Sequence, residues 1–305
     1  MLTSVSVTLT VRAAPRRYPD PRAVLEVLKP VTWFPPMWAF ACGVASSGEP
    51  VAGRWATVVA GVVLTGPLAC AASQAVNDWF DREVDAVNEP HRPIPSGRLP
   101  GRWGLGVGIG WSALSLAVGM TLGRWGFAAT AVAVLLSWAY SAPPARLKRN
   151  GWIGNAAVGL TYEGLAWATG AAVMLGGRAP ALPILLLALL YSLGAHGIMT
   201  LNDFKSVDGD RRMGIGSLPA RLGVDPAARV ACAVMLGAQV MVVALLLAWH
   251  RPLSAAAVTA LVIAQGVMMR RFVARPRERA LWYSGFGVPL YVAGMMVCAF
   301  AVRGV

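Results

Sequence analysis

Long apolar runs, separated by clusters of glycine, proline and charged residues, are the main feature of the chain. A helix that crosses a bilayer needs about 20 mostly apolar residues. Nine such runs lie near residues 31–48, 54–77, 104–122, 126–142, 153–175, 181–202, 228–249, 253–269 and 281–301. The pattern therefore predicts an all-α membrane protein with nine transmembrane helices.

Proline residues fall inside two of these runs. Pro35 and Pro36 lie in the first run, and Pro289 lies in the ninth. We expect kinks at these positions, which a membrane helix tolerates because its neighbours satisfy the carbonyl groups that proline frees.

The residues before the first run are expected to form a cytoplasmic arm. The apolar stretch 2–11 has no basic residue before it and arginines after it, an order unlike that of a cleaved signal peptide. We predict an irregular arm that ends in a short interfacial helix over residues 21–29. The chain is thereby divided into this arm, 1–30, and a helical domain, 31–305.

Composition agrees with a membrane location. Hydrophobic residues make up 56% of the chain and charged residues only 13%, whereas a water-soluble chain has about 25% charged residues. The net charge of +13 could in principle indicate nucleic-acid binding. However, 22 of the 27 basic residues fall on one side of the nine predicted helices. This positive-inside pattern predicts a cytoplasmic N-terminus and a periplasmic C-terminus, and we expect no nucleic-acid partner.

The four cysteines stand singly in apolar stretches, with no CxxC pair. Four buried thiols are the expected state. This spacing argues against a disulfide framework, a zinc ribbon or an iron–sulfur cluster.

Acidic residues are concentrated in two short windows. Eight of the 14 acidic residues lie within residues 77–89 and 202–210, and both windows begin Asn-Asp at the cytoplasmic end of a predicted helix. The segment 94–100, which follows the first window, is echoed by 215–219 after the second. Because an even number of helices separates the copies, they share one orientation. We infer a diverged parallel repeat whose copies face each other.

The first window has the form NDxxDxxxD. Asp78, Asp81 and Asp85 stand at i, i+3 and i+7 and share a helical face. Three carboxylates on one stripe repel each other unless cations neutralise them. Mg²⁺ is the natural partner because it takes few carboxylates and completes its octahedron with water and phosphate oxygens.

The second window is less regular. Asp203 and Asp210 are seven residues apart and can share a face, in which case Asp208 points elsewhere or the segment is not helical. Two facing stripes would together hold Mg²⁺ ions over one diphosphate. The alternative is that these acids are solvated loop charges paired with the nearby basic residues Arg82, Arg92 or Lys205.

A basic loop follows the fourth predicted helix on the same side. It reads YSAPPARLK over residues 140–148. Arg146 and Lys148 could bind the phosphate oxygens that the metals leave free, Arg146 as a fork and Lys148 as a point charge. The alternative, an ordinary inner-loop anchor, fits Arg149 better than the other two.

At these residues the chain resembles the UbiA-type intramembrane prenyltransferase superfamily. The resemblance covers residues 77–85, the second acidic window and the loop 140–148, and it implies nine helices around a central cavity open to lipid. The second motif of the family is DxxxD, but Ser206 stands where its first Asp would fall. Asp203 or Asp208 must therefore substitute. Two longer segments, 28–40 and 77–98, resemble the chlorophyll synthase branch, and the first is most similar to bacteriochlorophyll synthases.

This resemblance implies a reaction and a location. The reaction is esterification of bacteriochlorophyllide a with geranylgeranyl or phytyl diphosphate, the last stage of bacteriochlorophyll biosynthesis. The enzyme would lie in the bacterial inner, intracytoplasmic photosynthetic membrane, with its active site facing the cytoplasm. Its partners would be a prenyl diphosphate, a chlorin acceptor and the bilayer, and pigment–protein assembly partners are left open.

The resemblance and the spacing together assign roles to residues. The predicted catalytic residues are Asp78, Asp81, Asp85, Asp203 and Asp210. The predicted Mg²⁺ ligands are these five and Asp208. The predicted diphosphate-binding residues are Asn77, Tyr140, Arg146, Lys148, Asn202 and Lys205.

Neutralising the leaving group is the main task in this chemistry. An allylic diphosphate ionises when its diphosphate is neutralised, which Mg²⁺ and basic residues achieve electrostatically. A carboxylate acceptor, whose pKa in water is about 4, is already ionised at neutral pH. We therefore expect no general base.

Three further residues are candidates for chlorin contact, each with a structural alternative. His196 could ligate the chlorin magnesium or form a hydrogen bond between helices. Glu163, deep in a predicted helix, could be functional or bonded to a Tyr or Trp. His91 could cap the cavity or be a solvated loop residue.

Two other functions stay open at this point. One is a UbiA-type enzyme that prenylates an aromatic quinone precursor. The other is an ion-coupled transporter, although transporters place their acidic groups near the membrane midplane and these acids cluster at one face.

Overall fold

The computed structural model describes residues 17–303, and these form a bundle of helices. Within that range the isolated β-bridges consist of one pairing, between Asn150 and Gly216. The helices are α1 (Pro21–Leu28), α2 (Phe34–Ser46), α3 (Trp55–Val63), α4 (Ala71–Asn88), α5 (Trp103–Thr121), α6 (Gly123–Ser141), α7 (Gly151–Gly159), α8 (Ala166–Met174), α9 (Leu182–Asp203), α10 (Val207–Arg212), α11 (Leu218–Leu222), α12 (Val224–Ala248), α13 (Pro252–Ala274), α14 (Pro276–Phe286) and α15 (Val288–Ala301).

Six helical segments are long and apolar enough to cross a membrane, among the described residues. They are Trp55–Asn88, Trp103–Thr121, Leu182–Asp203, Val224–Ala248, Pro252–Ala274 and Pro276–Ala301. The other three predicted spans coincide with α2, α6 and the pair α7 and α8. An all-helical, multi-pass membrane protein is thus confirmed, whereas nine spans and the orientation of the termini stay predictions.

Two of the long helices contain a widened π turn. Leu64–Cys70 joins α3 to α4, and Leu160–Leu165 joins α7 to α8. Pro67 lies in the first of these segments. Proline lacks the N–H that an α turn requires and its ring clashes with the preceding turn, so a wider turn relieves the conflict. Apolar periodicity does not reveal such turns, and the sequence did not predict them.

The predicted kinks are half right. The expected kink at Pro35 and Pro36 is wrong, because α2 begins at Phe34 and both prolines lie in its first turn. Proline fits there, since the first N–H groups of a helix have no partner within it. The interruption near Pro289 is confirmed, because α14 and α15 are separated at Gly287.

Helices α2 and α8 pack with their backbones in close contact. A Cβ atom on Gly43 would lie 2.0 Å from the carbonyl oxygen of Trp167, and one on Gly170 would lie 2.1 Å from that of Phe40. Small residues let helix backbones approach this closely in a membrane protein. On other faces, α4 packs against α5 and α6, and α9 packs against α7 and α12. Since α6 also contacts α7, these helices link the two that carry the acidic windows.

A short amphipathic helix is found where the sequence predicts one before the first span. In α1, the Asp20 side chain caps the first turn by accepting from the Arg22 N–H at 3.0 Å. Its buried face, Val27 and Leu28, packs in one cluster with residues of α4. Its position at a membrane surface stays a prediction. The predicted irregular arm, including Arg12, Arg16 and the apolar stretch 2–11, lies mostly outside the described residues.

A double hydrogen bond ties α1 to the loop after α4. Arg98 donates to Glu26 at 2.6 and 2.9 Å, and the Asp20 N–H donates to the Arg98 carbonyl at 3.1 Å. Arg98 lowers the pKa of the Glu26 carboxyl, chiefly through this hydrogen bond. Helix α1 ends at Leu28, and the next residue, Lys29, has a left-handed φ of 47°. The chain there turns toward the first acidic window.

Candidate active site

One cavity of about 300 Å³ touches both acidic windows. Asn77 of α4 and Asn202 of α9, the first residues of the two Asn-Asp pairs, both line it. Tyr140 of α6 lines the same cavity and lies within electrostatic reach of acids from both windows, Asp81 and Asp203. The two windows therefore meet at a single site, where one ligand can contact both.

Basic residues compensate two buried carboxylates of the first window. Asp78 and Asp85 are only 3% and 7% exposed. Lys29 Nζ lies 2.6 Å from Asp78 Oδ1, and Arg92 Nη1 lies 2.9 Å from Asp85 Oδ2 and 3.7 Å from Asp78 Oδ1. Arg92 also pairs with Glu89. The alternative of solvated loop charges is thus correct in one part, because Arg92 pairs with these acids. It is wrong in the other part, because Asp78 and Asp85 are buried and not solvated.

The predicted phosphate-binding cations lie at the third carboxylate of this window. Lys148 Nζ is 2.5 Å and Arg146 Nη2 is 3.8 Å from Asp81 Oδ1. Burial lowers the pKa of the Lys148 ammonium, and the Asp81 carboxylate opposes that shift. Arg146 Nε is buried with no hydrogen-bond partner in the described range. Arg149 is exposed, as expected of a loop anchor.

Arg82, another neighbour considered for pairing, is turned away from the motif carboxylates. Its guanidinium pairs with Glu83 at 3.1 Å and lies 4.4 Å from the centroid of the Trp79 ring. On the cavity side, the Asn77 amide instead donates to Ser141 at 3.3 Å, which links α4 to α6.

In the second window, Asp203 and Asp210 lie mainly among neutral side chains. Helix α9 ends at Asp203, whose Oδ2 is buried with no hydrogen-bond partner among the described residues. The side chain of Asn155 lies beside this carboxylate, and Lys205 interacts with it electrostatically. Asp210 Oδ2 accepts hydrogen bonds from Ser217 at 2.6 Å and Ser206 at 3.1 Å. Ser206, which stands where the resemblance leads us to expect an acid, thus bonds to Asp210.

The role predicted for Asp208 as a metal ligand is not supported by its placement. Its side chain is 62% exposed and accepts two hydrogen bonds from Arg277, at 3.1 and 3.2 Å. These hydrogen bonds lower the pKa of the Asp208 carboxyl. The chain turns between α9 and α10, so Asp203 and Asp210 do not lie on one continuous helix. This turn directs Asp208 away from the cavity, and we leave it out of the proposed ligand set.

The donor set fits Mg²⁺ that arrives with a phosphate ligand. No three acidic, histidine or cysteine side chains in residues 17–303 form a preformed metal cage. Mg²⁺ does not require one, because it is commonly held by one or two carboxylates together with water and substrate phosphates. The hard oxygens of Asp78, Asp81, Asp203 and Asp210 suit this ion. The Oδ2 atom of Asp203 in particular suits a cation, because it is buried and has no hydrogen-bond partner among the described residues.

The three candidates for chlorin contact lie in three different environments. His196 Nε2 lies 3.2 Å from the Trp152 carbonyl oxygen, and the two rings lie against each other, so the alternative of a bond between helices describes this residue. His91 is exposed in its loop, as the solvated alternative states. Glu163 lies in the second π turn, with its Oε2 buried and without a partner in the described chain. The bond to a Tyr or Trp that the sequence allowed is not formed at this oxygen.

A hydroxyl network on the cavity wall was missed from the sequence. Tyr162 OH lies 3.0 Å from Ser73 Oγ and accepts a hydrogen bond from Gln74 Nε2 at 3.0 Å and another from Cys70 Sγ at 3.3 Å. Gln74 stands four residues before Asp78, so the helical stripe of acids could have pointed to it. Tyr162 carries no comparable signal, because the π turn decides where it points.

Comparison with known proteins gives three findings. The profile of the UbiA prenyltransferase family matches residues 32–300. The bacteriochlorophyll synthase 33 kDa chain of Cereibacter sphaeroides is 55% identical over 300 residues, 98% of both chains, and the chloroplastic chlorophyll synthase of Oryza sativa is 37% identical over 91% of this chain and 76% of its own. The structure of a UbiA homologue from Archaeoglobus fulgidus bound to GPP and Mg²⁺ matches with a TM-score of 0.62 at 19% identity, over 93% of this chain and 100% of that one. This last likeness shows a shared fold.

Proposed function

The chain belongs to the UbiA prenyltransferase family and is a prenyl transferase, and from this premise we propose that it esterifies the propionate carboxylate of bacteriochlorophyllide a. The prenyl donor is geranylgeranyl or phytyl diphosphate, and diphosphate is released. The observation that carries the proposal is the 55% identity to a bacteriochlorophyll synthase over 98% of both chains. Two acidic windows on one cavity are the geometry this chemistry needs.

In this proposal the acidic residues bind the metal, and the basic and polar residues bind the diphosphate. Asp78, Asp81, Asp85, Asp203 and Asp210 would hold Mg²⁺, which when bound withdraws charge from the diphosphate. Arg146 and Lys148, which meet at Asp81, exchange that carboxylate for phosphate oxygens when the donor binds. Asn77, Asn202 and Tyr140 line the cavity beside them and offer amide and hydroxyl groups to the same oxygens. Lys205, near Asp203, adds a further positive charge.

The bond change follows from this neutralisation. The bond between prenyl C1 and the diphosphate oxygen breaks, and its electron pair leaves with the diphosphate. A carboxylate oxygen of the acceptor then forms the new bond to C1. The carboxylate carries no proton to lose, so no base is required, and the surrounding helices exclude water that would otherwise capture the allylic cation.

The topology forms part of the same proposal. We place nine spans in the bacterial inner, intracytoplasmic photosynthetic membrane, with the N-terminus and the site on the cytoplasmic side and the C-terminus outside. Support comes from the sidedness of the basic residues, 22 of 27 on one side. The arm over residues 1–30 precedes the catalytic domain over 31–305, and pigment–protein assembly factors are included among the proposed partners.

The test is an acceptor assay with the purified full-length protein in detergent. Bacteriochlorophyllide a, Mg²⁺ and either geranylgeranyl or phytyl diphosphate should yield the esterified pigment and one diphosphate per ester. Prenylation of a quinone precursor with no esterified pigment would overturn the proposal in favour of the aromatic prenyltransferase. Membership of a prenyltransferase family decides against the ion-coupled transporter. Deletion of the gene should cause the unesterified pigment to accumulate.

A further inference from the structure

We infer that Gln74, oriented by Tyr162 and Ser73, binds the carboxylate of the acceptor and holds it beside the prenyl carbon that it attacks. The inference rests on the proposed function, since it concerns the acceptor of that reaction. Gln74 then contacts substrate, whereas Tyr162 acts through Gln74 as a positioning residue.

The first argument is position along α4. Gln74 precedes Asp78 by four residues and Asp81 by seven, so it continues the acidic stripe by one turn, a rise of about 6 Å. It also lines the cavity that touches both windows. In the proposed reaction the diphosphate binds at the acids, and prenyl C1 extends from it into the cavity. Gln74 is the next residue of the stripe on the cavity side, where the nucleophile must be held.

The second argument is the direction of the hydrogen bonds. Ser73 donates its hydroxyl proton to the Cys70 carbonyl at 2.9 Å. The Tyr162 proton is therefore free to go to Ser73 Oγ, 3.0 Å away, and the phenol oxygen accepts from Gln74 Nε2 at 3.0 Å. This network assigns the amide orientation of Gln74. One N–H is used by Tyr162, and the second N–H has no partner among the described residues and is available in the cavity.

The third argument is charge. All the side chains that line the cavity in the described chain are uncharged at neutral pH, while Lys29, Arg92 and Lys148 lie on the acids of the first window. An acceptor anion inside the cavity can therefore be held only by neutral donors. Such donors orient a carboxylate without neutralising it, so the lone pair that forms the bond to C1 stays available.

The π turn supplies the positioning. Thr161 and Tyr162 are adjacent in Leu160–Leu165, and both line the cavity. Residues adjacent in an α helix diverge by about 100°, and a widened turn is a frequent device at functional sites for re-aiming a side chain. Here it brings the phenol of one helix to Ser73 and Gln74 of another.

The experiment compares binding of bacteriochlorophyllide a with binding of its methyl ester, which lacks the free carboxylate. Full-length wild type, Gln74→Leu and Tyr162→Phe are titrated with each pigment. We expect wild type to bind the acid about tenfold or more tightly than the ester, because a hydrogen bond to a charged group contributes that much. Gln74→Leu should lose this preference, and Tyr162→Phe should reduce it.

Two matched controls carry the same substitutions elsewhere. Gln239→Leu removes a buried amide that has no hydrogen-bond partner among the described residues. Tyr283→Phe removes a buried phenol hydroxyl that interacts with Gln265. Both variants should keep the preference. A second readout is the slow release of diphosphate from geranylgeranyl diphosphate without acceptor. In Gln74→Leu this release should fall much less than ester formation, which should fall about tenfold or more.

Each result decides the matter. A preference for the acid that survives in Gln74→Leu overturns the inference, as does acceptor-free release that falls in parallel with ester formation, because Gln74 would then act on the diphosphate or on folding. Failure of the proposed function is seen separately, in wild type: a wild-type protein that forms no ester overturns both, whereas the variant results overturn the inference alone.

Discussion

The two acidic windows meet at one cavity but are stabilised in opposite ways. In the first window, Asp78, Asp81 and Asp85 each lie against a basic side chain, from Lys29, Lys148 and Arg92 respectively. In the second, Asp203 and Asp210 form no ion pair within the described residues, and one buried oxygen of Asp203 has no partner. The carboxylates of the first window are thus paired before a ligand arrives. Asp203, although Lys205 is near it, and Asp210 instead depend on a bound cation for an ionic partner.

The loops that follow the windows show the same difference. After the second window, Ser217 donates to Asp210 at 2.6 Å. The matching serine after the first window, Ser96, instead accepts a hydrogen bond from Arg98 at 3.2 Å, and Arg92 closes on Asp85. An arginine thus bonds to an acid of the first window, whereas a serine hydroxyl bonds to an acid of the second. We expect substitutions in the two windows to differ in their effects on both stability and catalysis.

The largest expected effect is loss of turnover when a carboxylate of the first window is removed. Asp78→Ala, Asp81→Ala or Asp85→Ala should lower the rate of ester formation about 10³-fold, because the diphosphate loses electrostatic stabilisation as it leaves. Chelation by EDTA should have an effect at least as large and should be reversed by added Mg²⁺. Initial rates with saturating pigment measure both.

Asp208 supplies the control for this prediction. Because its side chain is exposed and bound to Arg277, Asp208→Ala should keep turnover within about twofold of wild type, as surface substitutions do. Full activity in EDTA would contradict the role of the metal. Equal losses in Asp208→Ala and Asp81→Ala would contradict the ligand set.

The second prediction separates the windows by stability. Asp203→Asn should lower turnover about 10²-fold yet leave the thermal midpoint in detergent unchanged or higher, because a buried carboxylate oxygen without a partner opposes folding. Asp78→Asn should lower turnover and also the midpoint, because Lys29 and Arg92 lose the negative charge of their partner. Thermal unfolding of both variants without ligand is the measurement. If only Asp203→Asn had a lower midpoint, the second window and not the first would stabilise the fold, which would contradict this prediction.

The helices could be predicted from the sequence because the bilayer leaves little choice. A chain that crosses lipid must satisfy its backbone within the segment, so a long apolar run implies a helix. The acidic stripe of the first window was equally readable, since Asp78, Asp81 and Asp85 keep helical spacing. The second window was not, because the chain turns after Asp203 and the spacing loses its meaning there.

What the sequence did not predict depends on contacts between distant segments. Lys29 and Asp78 are 49 residues apart, and no periodicity links them. Tyr162 reaches Gln74 through a π turn, which depends on packing between helices rather than on a local residue pattern. The kink predicted at Pro35 and Pro36 was wrong for a different reason. An apolar run indicates which residues lie in lipid, but it does not show at which residue the first helical turn begins.

The third prediction concerns the two matching serines. Ser217→Ala removes a 2.6 Å hydrogen bond to Asp210 and should lower turnover about tenfold, as loss of one hydrogen bond to a charged group does. It should also raise the Mg²⁺ concentration needed for half-maximal rate. Ser96→Ala, which leaves Asp85 and Arg92 in place, should change neither. Equal effects of the two substitutions would mean that the copies use their loops alike.

The smallest expected effect concerns the exposed ion pairs beside each window, Glu26 with Arg98 and Asp208 with Arg277. Glu26→Gln should lower the thermal midpoint only slightly. The loss in the free energy of unfolding should be less than about 1 kcal/mol, because the pair is partly exposed. Since Arg98 lowers the pKa of Glu26 from its usual 4.5, this contribution is present above pH 4.5 and is lost as the pH falls through the lowered value. Asp208→Asn should have a still smaller effect with the same direction of pH dependence. Midpoints measured at pH 7 and in acid test both, and a Glu26→Gln variant that differs from wild type only in acid would show that the charge pair does not stabilise α1.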